Sequence, residues 1–199
     1  RYEALKAMGD RSFTTLYYLG VSQYADNWPY GARDNLLEAH KKNPMDVNVL
    51  YYLAKACARS SWKEEGIAYM NKAFDMVVPT DSMMIRLYDG LLECYKFHTK
   101  ADPYEKIEVM KEAYSYTKKY TLFYQIAEIY DYQKDYVNAV HYYEKYMALV
   151  PKNKQAALDS EGNPLPNVDT MYQKARRRVE KIKVEDFFRN GAHDDYFEW

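Results

Sequence analysis

Leu16-Tyr17-Tyr18-Leu19-Gly20 and Leu50-Tyr51-Tyr52-Leu53-Ala54 are nearly one phrase written twice, 34 positions apart. Working outward from it, Ala39 and Ala73 keep the same interval of 34, and Pro44 and Pro79 lie 35 apart. Pro151 follows Pro79 after 72 residues, close to two further periods. Agreement of several positions in one register marks an internal repeat. A unit of this length cannot cover its own apolar face, so such units become stable by stacking on their neighbours.

Inside each period the apolar residues recur at three and four positions, the spacing of one helix face and not of a strand. Helices are therefore expected near 13–25, 29–42, 47–59, 62–77, 82–98, 103–118, 120–133 and 135–149. The punctuation agrees. Asp26-Asn27 precede Pro29 and Asp102 precedes Pro103, a capping residue followed by a proline tolerated in the first turn. Asp46, Asp81 and Asp135 are further cap candidates. Residues 2–8 read as the tail of an earlier helix, so the chain is expected to begin inside the array.

The small and large residues of each period resemble the tetratricopeptide repeat (TPR) family. One copy reads Phe123, Ile126-Ala127, Tyr130, Ala139, Tyr143 and Pro151. The first reads Leu16, Leu19-Gly20, Ala32, Leu36, Ala39 and Pro44, with Gln23 where the family places an aromatic. The second reads Leu50, Leu53-Ala54, Cys57, Gly66, Met70, Ala73 and Pro79. A looser third has Tyr88, Leu91-Leu92, Tyr95, Met110 and Ala113. The resemblance implies an all-α fold, a right-handed superhelical array of helix–turn–helix repeats over 13–153, divided as 13–46, 47–81, 82–119 and 120–153. Residues 1–12 then belong to a preceding repeat helix. A turn-rich loop is expected at 154–167. A capping helix at 168–190 would cover the last repeat with the stripe Val168, Tyr172, Ala175, Val179 and Ile182, and 191–199 reads as a tail.

Composition narrows function mainly by exclusion. With 28 basic and 29 acidic residues the formal charge is -1, so no global field recruits nucleic acid or an anionic membrane. No apolar run reaches the length of a membrane span. Position 1 is Arg, which suits either a trimmed cell-envelope (periplasmic) protein of a bacterium or a trimmed cytoplasmic one. Cys57 and Cys94 lack the nearby partners that a zinc site needs and read as small buried hydrophobes. No phosphate-cradling glycine loop, nucleophile elbow or His-Glu-x-x-His occurs. Asp159–Asn163 has oxygen donors around Gly162, but neither the glycine nor a closing Glu falls where a calcium loop requires it. No enzyme, metal or cofactor is expected. Lys174, Arg176, Arg177, Arg178, Lys181 and Lys183 read as the solvated face of the last helix, with nucleic-acid binding the alternative.

What remains is binding. The resemblance implies that the first helix of each pair lines a concave groove. By register that groove takes Thr14, Tyr17, Val21 and Tyr24, then Asn48, Tyr51, Lys55 and Arg59. Arg86, Asp89, Glu93, Lys96 and Phe97 follow, then Thr121, Tyr124, Glu128, Asp131 and Tyr132. Tyr17, Tyr24, Tyr51, Lys55, Arg59, Arg86, Phe97, Tyr124 and Tyr132 are the candidate peptide-binding residues, since tyrosine and arginine suit binding hot spots. The inner-face Lys and Asn of chaperone-tail clamps are replaced by Tyr17, Val21 and Tyr52. The expected function is a non-catalytic protein- or peptide-binding scaffold, with the partner another protein or peptide segment. A structural subunit of a larger envelope assembly, or a homo-oligomer, is the alternative. The acidic, aromatic tail His193–Trp199 is a candidate to dock on such a groove.

Overall fold

The computed structural model describes residues 1–155 and 169–190, and every regular element among them is helical. In order these are α1 (Tyr2–Ala7), α2 (Phe13–Ala25), α3 (Pro29–Lys42), α4 (Val47–Ala58) and α5 (Lys63–Asp75). Then come α6 (Asp81–Phe97), α7 (Pro103–Thr117), α8 (Thr121–Tyr132), α9 (Tyr136–Leu149), a 3-10 turn (Lys152–Lys154) and α10 (Thr170–Asn190). Most of the expected loop, the Asp159–Asn163 segment, Val168 and the tail lie outside the described residues.

Side-chain caps start several helices. Asp46 Oδ1 accepts from Asn48 N at 2.9 Å and Val49 N at 3.1 Å, and Asp135 Oδ1 accepts from Asn138 N at 3.2 Å. Asp102 Oδ1 accepts from Tyr104 N at 3.0 Å. Two expectations need correction. Thr80 caps α6, and Asp81 lies inside its first turn, where a carboxylate still favours the exposed N–H groups. Asp26 and Asn27 do not cap α3, whose N-cap is Trp28 without a side-chain bond; they close α2 instead. Asn27 stands at φ 59 while Trp28 N reaches back to Gln23 O at 2.8 Å. The same left-handed closure recurs at Gly9 (φ 93) after α1 and at Lys134 (φ 63) after α8.

The chain divides into two compact units, Arg1–Val109 and Met110–Trp199, with the boundary inside α7. In the first unit α2 packs on α3 and α4 on α5, and α4 also touches α2 and α6. The small residues of the repeated phrase set these approaches. A methyl group at Gly20 would stand 2.5 Å from Leu36 Cγ, and one at Gly66 would stand 2.9 Å from the carbonyl oxygen of Ala54. Leu16, Leu36, Leu50, Leu53, Met70 and Leu87 are completely buried around these contacts. Each such side chain contributes about 1.5–3 kcal/mol. Gln23, where an aromatic was expected, is buried and accepts from Asn35 Nδ2 at 2.7 Å, while Lys6 Nζ donates to Asn35 Oδ1 at 2.5 Å. Cys57 and Cys94 are both buried and free. Burial pushes their thiols up to about 11 and about 12.

In the second unit α8 and α9 pack through Phe123, Ile126, Ala127, Ala139, Val140, Tyr143 and Tyr146, all buried. α10 lies on α9 through buried Ala175, Val179 and Ile182. Arg178 clamps Asp131 of α8 with two bonds of 2.6 Å, and Lys183 reaches Glu144 of α9 at 2.7 Å. Among the described residues no helix is long and apolar enough to cross a membrane.

Candidate functional site

Side chains three and four residues apart share a helix face. On α4 that rule aligns Asn48, Tyr51, Lys55 and Arg59; on α6 it aligns Arg86, Asp89, Glu93 and Phe97; on α2 it aligns Tyr17, Val21 and Tyr24. Because α4 touches both α2 and α6, the three faces adjoin as one wall of the first unit.

Glu93 is the meeting point. Lys55 Nζ stands 2.9 Å from its Oε2, and Arg59 donates to Oε1 through Nε at 2.6 Å and Nη2 at 2.5 Å. The Tyr24 hydroxyl donates to the same oxygen at 2.5 Å. Three donors from two helices thus converge on a carboxylate brought by a third. The rings form the floor. Arg59 lies 4.4 Å from the Tyr24 ring centre and 5.8 Å from that of Phe97, while Lys55 is 5.0 Å from Tyr51. Arg86 sits 4.5 Å above Tyr51 and donates to Asn48 Oδ1 at 2.8 Å. Such cation–ring contacts add to the ion pairing and hold the charged heads in place.

The charges follow from these contacts. Burial alone would raise the Glu93 carboxyl, but bonds from Tyr24 and Lys55 hold it below the ordinary carboxylate value. Burial alone would lower Lys55, and Glu93 reverses that and raises it. Burial and the bond to Glu93 push the Tyr24 phenol up. At neutral pH the wall therefore carries ionised Lys55 and Glu93 beside a neutral Tyr24. Its cations and phenol are matched by a carboxylate that the chain itself supplies.

Seven of the nine residues singled out from the sequence stand on this wall: Tyr17, Tyr24, Tyr51, Lys55, Arg59, Arg86 and Phe97. Tyr24 and Tyr51 are mostly buried, so they offer ring edges and not open surface. Tyr124 and Tyr132 belong to the second unit. Tyr124 is buried, with its ring 5.5 Å from Tyr143 and 5.4 Å from Tyr146, whereas Tyr132 is 86% exposed. Burial, with Glu128 beside it, pushes the Tyr124 phenol up to about 12. Asp131, placed in the groove by register, is already held by Arg178. Sequence reasoning placed Tyr52 on the inner face but not among the binding candidates; its ring lies 6.3 Å from Tyr17, 6.1 Å from Tyr24 and 5.3 Å from Tyr51 and so ties α2 to α4. Its place directly after Tyr51 was the available signal.

Arg176, Arg178, Lys181 and Lys183 of α10 are drawn into pairs. Besides Arg178 and Lys183, Arg176 meets Glu180 at 3.0 Å and Lys181 meets Glu185 at 3.6 Å. Among the described residues no group of three His, Cys, Asp or Glu side chains could hold a metal ion.

No family model matches the sequence, and no curated protein does. Solved structures do match. One titled "Crystal structure of MamA protein" has a TM-score of 0.57 at 16% identity, over 91% of this chain and 96% of that one. Another, titled "Crystal structure of YrrB: a TPR protein with an unusual peptide-binding site", has a TM-score of 0.53 at 10% identity, over 98% and 94% respectively. At such identities the likeness concerns the fold.

Proposed function

We propose, for a chain that has the tetratricopeptide-repeat fold, that it is a protein-interaction scaffold, with the wall of α2, α4 and α6 as its binding face for a peptide segment of a partner. The observation that carries this reading is the convergence of Tyr24, Lys55 and Arg59 on one carboxylate position, beside Arg86 over Tyr51. Arginine and tyrosine in a partly desolvated setting are the residue types on which binding energy concentrates. A peptide-binding site named for the similar YrrB is in keeping with this use of the fold. The face is cationic in excess, with Lys55, Arg59 and Arg86 against Glu93 and Asp89, and therefore favours acidic segments that also bring an aromatic ring. The pairing of Arg178 and Lys183 within the second unit weighs against the basic helix as a nucleic-acid surface.

The test uses a fluorescent hexapeptide, acetyl-Ser-Glu-Tyr-Glu-Phe-Ser, in an anisotropy titration at low salt. Arg86→Met keeps the aliphatic stem and removes the charge, and should weaken binding by about tenfold, the scale of a hot-spot residue. Equal affinity in both proteins would show that the peptide binds elsewhere.

A further inference from the structure

The donors on this wall raise a question that the binding reading leaves open: why is the carboxylate they converge on already supplied by the chain itself? Tyr24 and Lys55 with Arg59 come from the first helices of the first two pairs, and Glu93 comes from the first helix of the third. The Glu93 side chain is 16% exposed, as is Lys55, and Arg59 is 31% exposed, so the ion pairs are half-buried with one side open to water. Phe97, one helical turn further along, lies under Arg59 at 5.8 Å. Acid and aromatic, four residues apart on one helix face, thus fill a receptor made by the preceding two pairs.

We propose that Glu93 is an internal stand-in for the partner's carboxylate: the face is kept partly filled by Glu93, and an acidic segment binds by taking over Lys55, Arg59 and Tyr24 while the Glu93 side chain turns to solvent. The inference rests on the proposed binding face and adds its occupant, a segment carrying a carboxylate and an aromatic ring about one helical turn apart. Charge supports the exchange. Lys55 and Arg59 share one carboxylate, so an incoming acid restores the pairing that Glu93 gives up and leaves no buried charge unpaired. The open edge of the half-buried Glu93 side chain gives its carboxylate water to turn into. Glu93 then acts as a specificity device: neutral segments cannot displace it, because they would leave two cations without a partner.

The experiment titrates wild type and Glu93→Gln with two labelled probes, the hexapeptide above and its counterpart with both Glu replaced by Gln. The amide keeps the shape and still accepts from Tyr24 and Arg59, so circular dichroism should show an unchanged helix content, with a melting point lowered at neutral pH by the lost ion pairs. Glu93→Gln is expected to bind the acidic probe about tenfold tighter than wild type, with the neutral probe unaffected. Wild-type binding of the acidic probe with no gain, or a loss, in Glu93→Gln would make Glu93 a structural staple and overturn this inference alone. Absence of binding by both proteins would overturn the binding face as well. Should the amide variant fail to fold, Glu93→Asp, which withdraws the carboxylate by one methylene, is read in the same way: a several-fold gain upholds the exchange and no gain overturns it.

Discussion

Asn35 Nδ2 donates to Gln23 Oε1 at 2.7 Å across the first helical pair, with both side chains buried. A second bond from Asn35 Nδ2 to Gly31 O at 3.0 Å fixes the amide against its own helix. Asn35→Leu strands the Gln23 oxygen in the core and should cost about 1–3 kcal/mol in urea unfolding. Because the two residues are one unit, Gln23→Leu added to Asn35→Leu should cost less than the sum of the single changes, with a coupling of about 1 kcal/mol. Strict additivity would contradict the buried pair.

Helix propensity favours alanine over glycine by about 1 kcal/mol, so Gly66→Ala would ordinarily stabilise α5. Here the added methyl meets the Ala54 carbonyl oxygen at 2.9 Å and the Ala58 nitrogen at 3.1 Å, both backbone atoms that cannot turn aside. The variant should lose about 1–3 kcal/mol. An unchanged or raised melting temperature would mean that α4 and α5 do not approach so closely.

Lys134 holds φ 63 where α8 closes, and Asp135 N donates to Tyr130 O at 3.0 Å behind it. A side chain in this left-handed region costs about 1 kcal/mol, so Lys134→Gly should raise stability by about 0.5–1 kcal/mol. Asn27→Gly should gain less, since asparagine tolerates the conformation. A destabilised Lys134→Gly would contradict the closure.

Burial holds the thiols of Cys57 and Cys94 up at about 11 and about 12. The thiolate is the reactive form. Native protein at near-neutral pH should therefore resist iodoacetamide, and both cysteines should label after unfolding in guanidinium. Rapid labelling of the native chain, read by mass spectrometry, would refute the burial.

Glu93 links the wall to acid stability. Its carboxyl lies below the ordinary 4.5 in the folded chain, against the effect of burial, because Tyr24 and Lys55 bond to it. A carboxyl depressed by folding stabilises above its unfolded value, and that contribution disappears as pH falls through the folded value. Between about pH 6 and about pH 3 the wild type should therefore lose more stability than Glu93→Gln. Parallel urea midpoints across that range would contradict the pairing.

Much of the fold was legible because packing writes itself into spacing. The recurrence of Leu16 and Leu50, with Gly20 and Ala54 four positions on, reflects two helices that must approach closely at one point in each pair. Caps were less legible: Asp26-Asn27 carry the right residue types for an N-cap, yet a left-handed helix end accepts Asn equally well. The division inside α7 falls in the looser third copy, but the spacing alone did not locate it. On the wall, register sufficed to align Lys55, Arg59, Arg86 and Phe97. It could not show that Glu93 reaches across two helices to Tyr24, since that depends on the separation of elements and on rotamers. Gln23 looked like a departure from pattern because its partner, Asn35, lies on the next helix.

The most direct measurement of the central claim is a residue-resolved NMR titration of the labelled chain with acetyl-Ser-Glu-Tyr-Glu-Phe-Ser. The account predicts that shifts concentrate at Tyr24, Tyr51, Lys55, Arg59, Arg86 and Glu93. Shifts gathered instead on α3 and α5, or on α10, with this set unmoved, would contradict it.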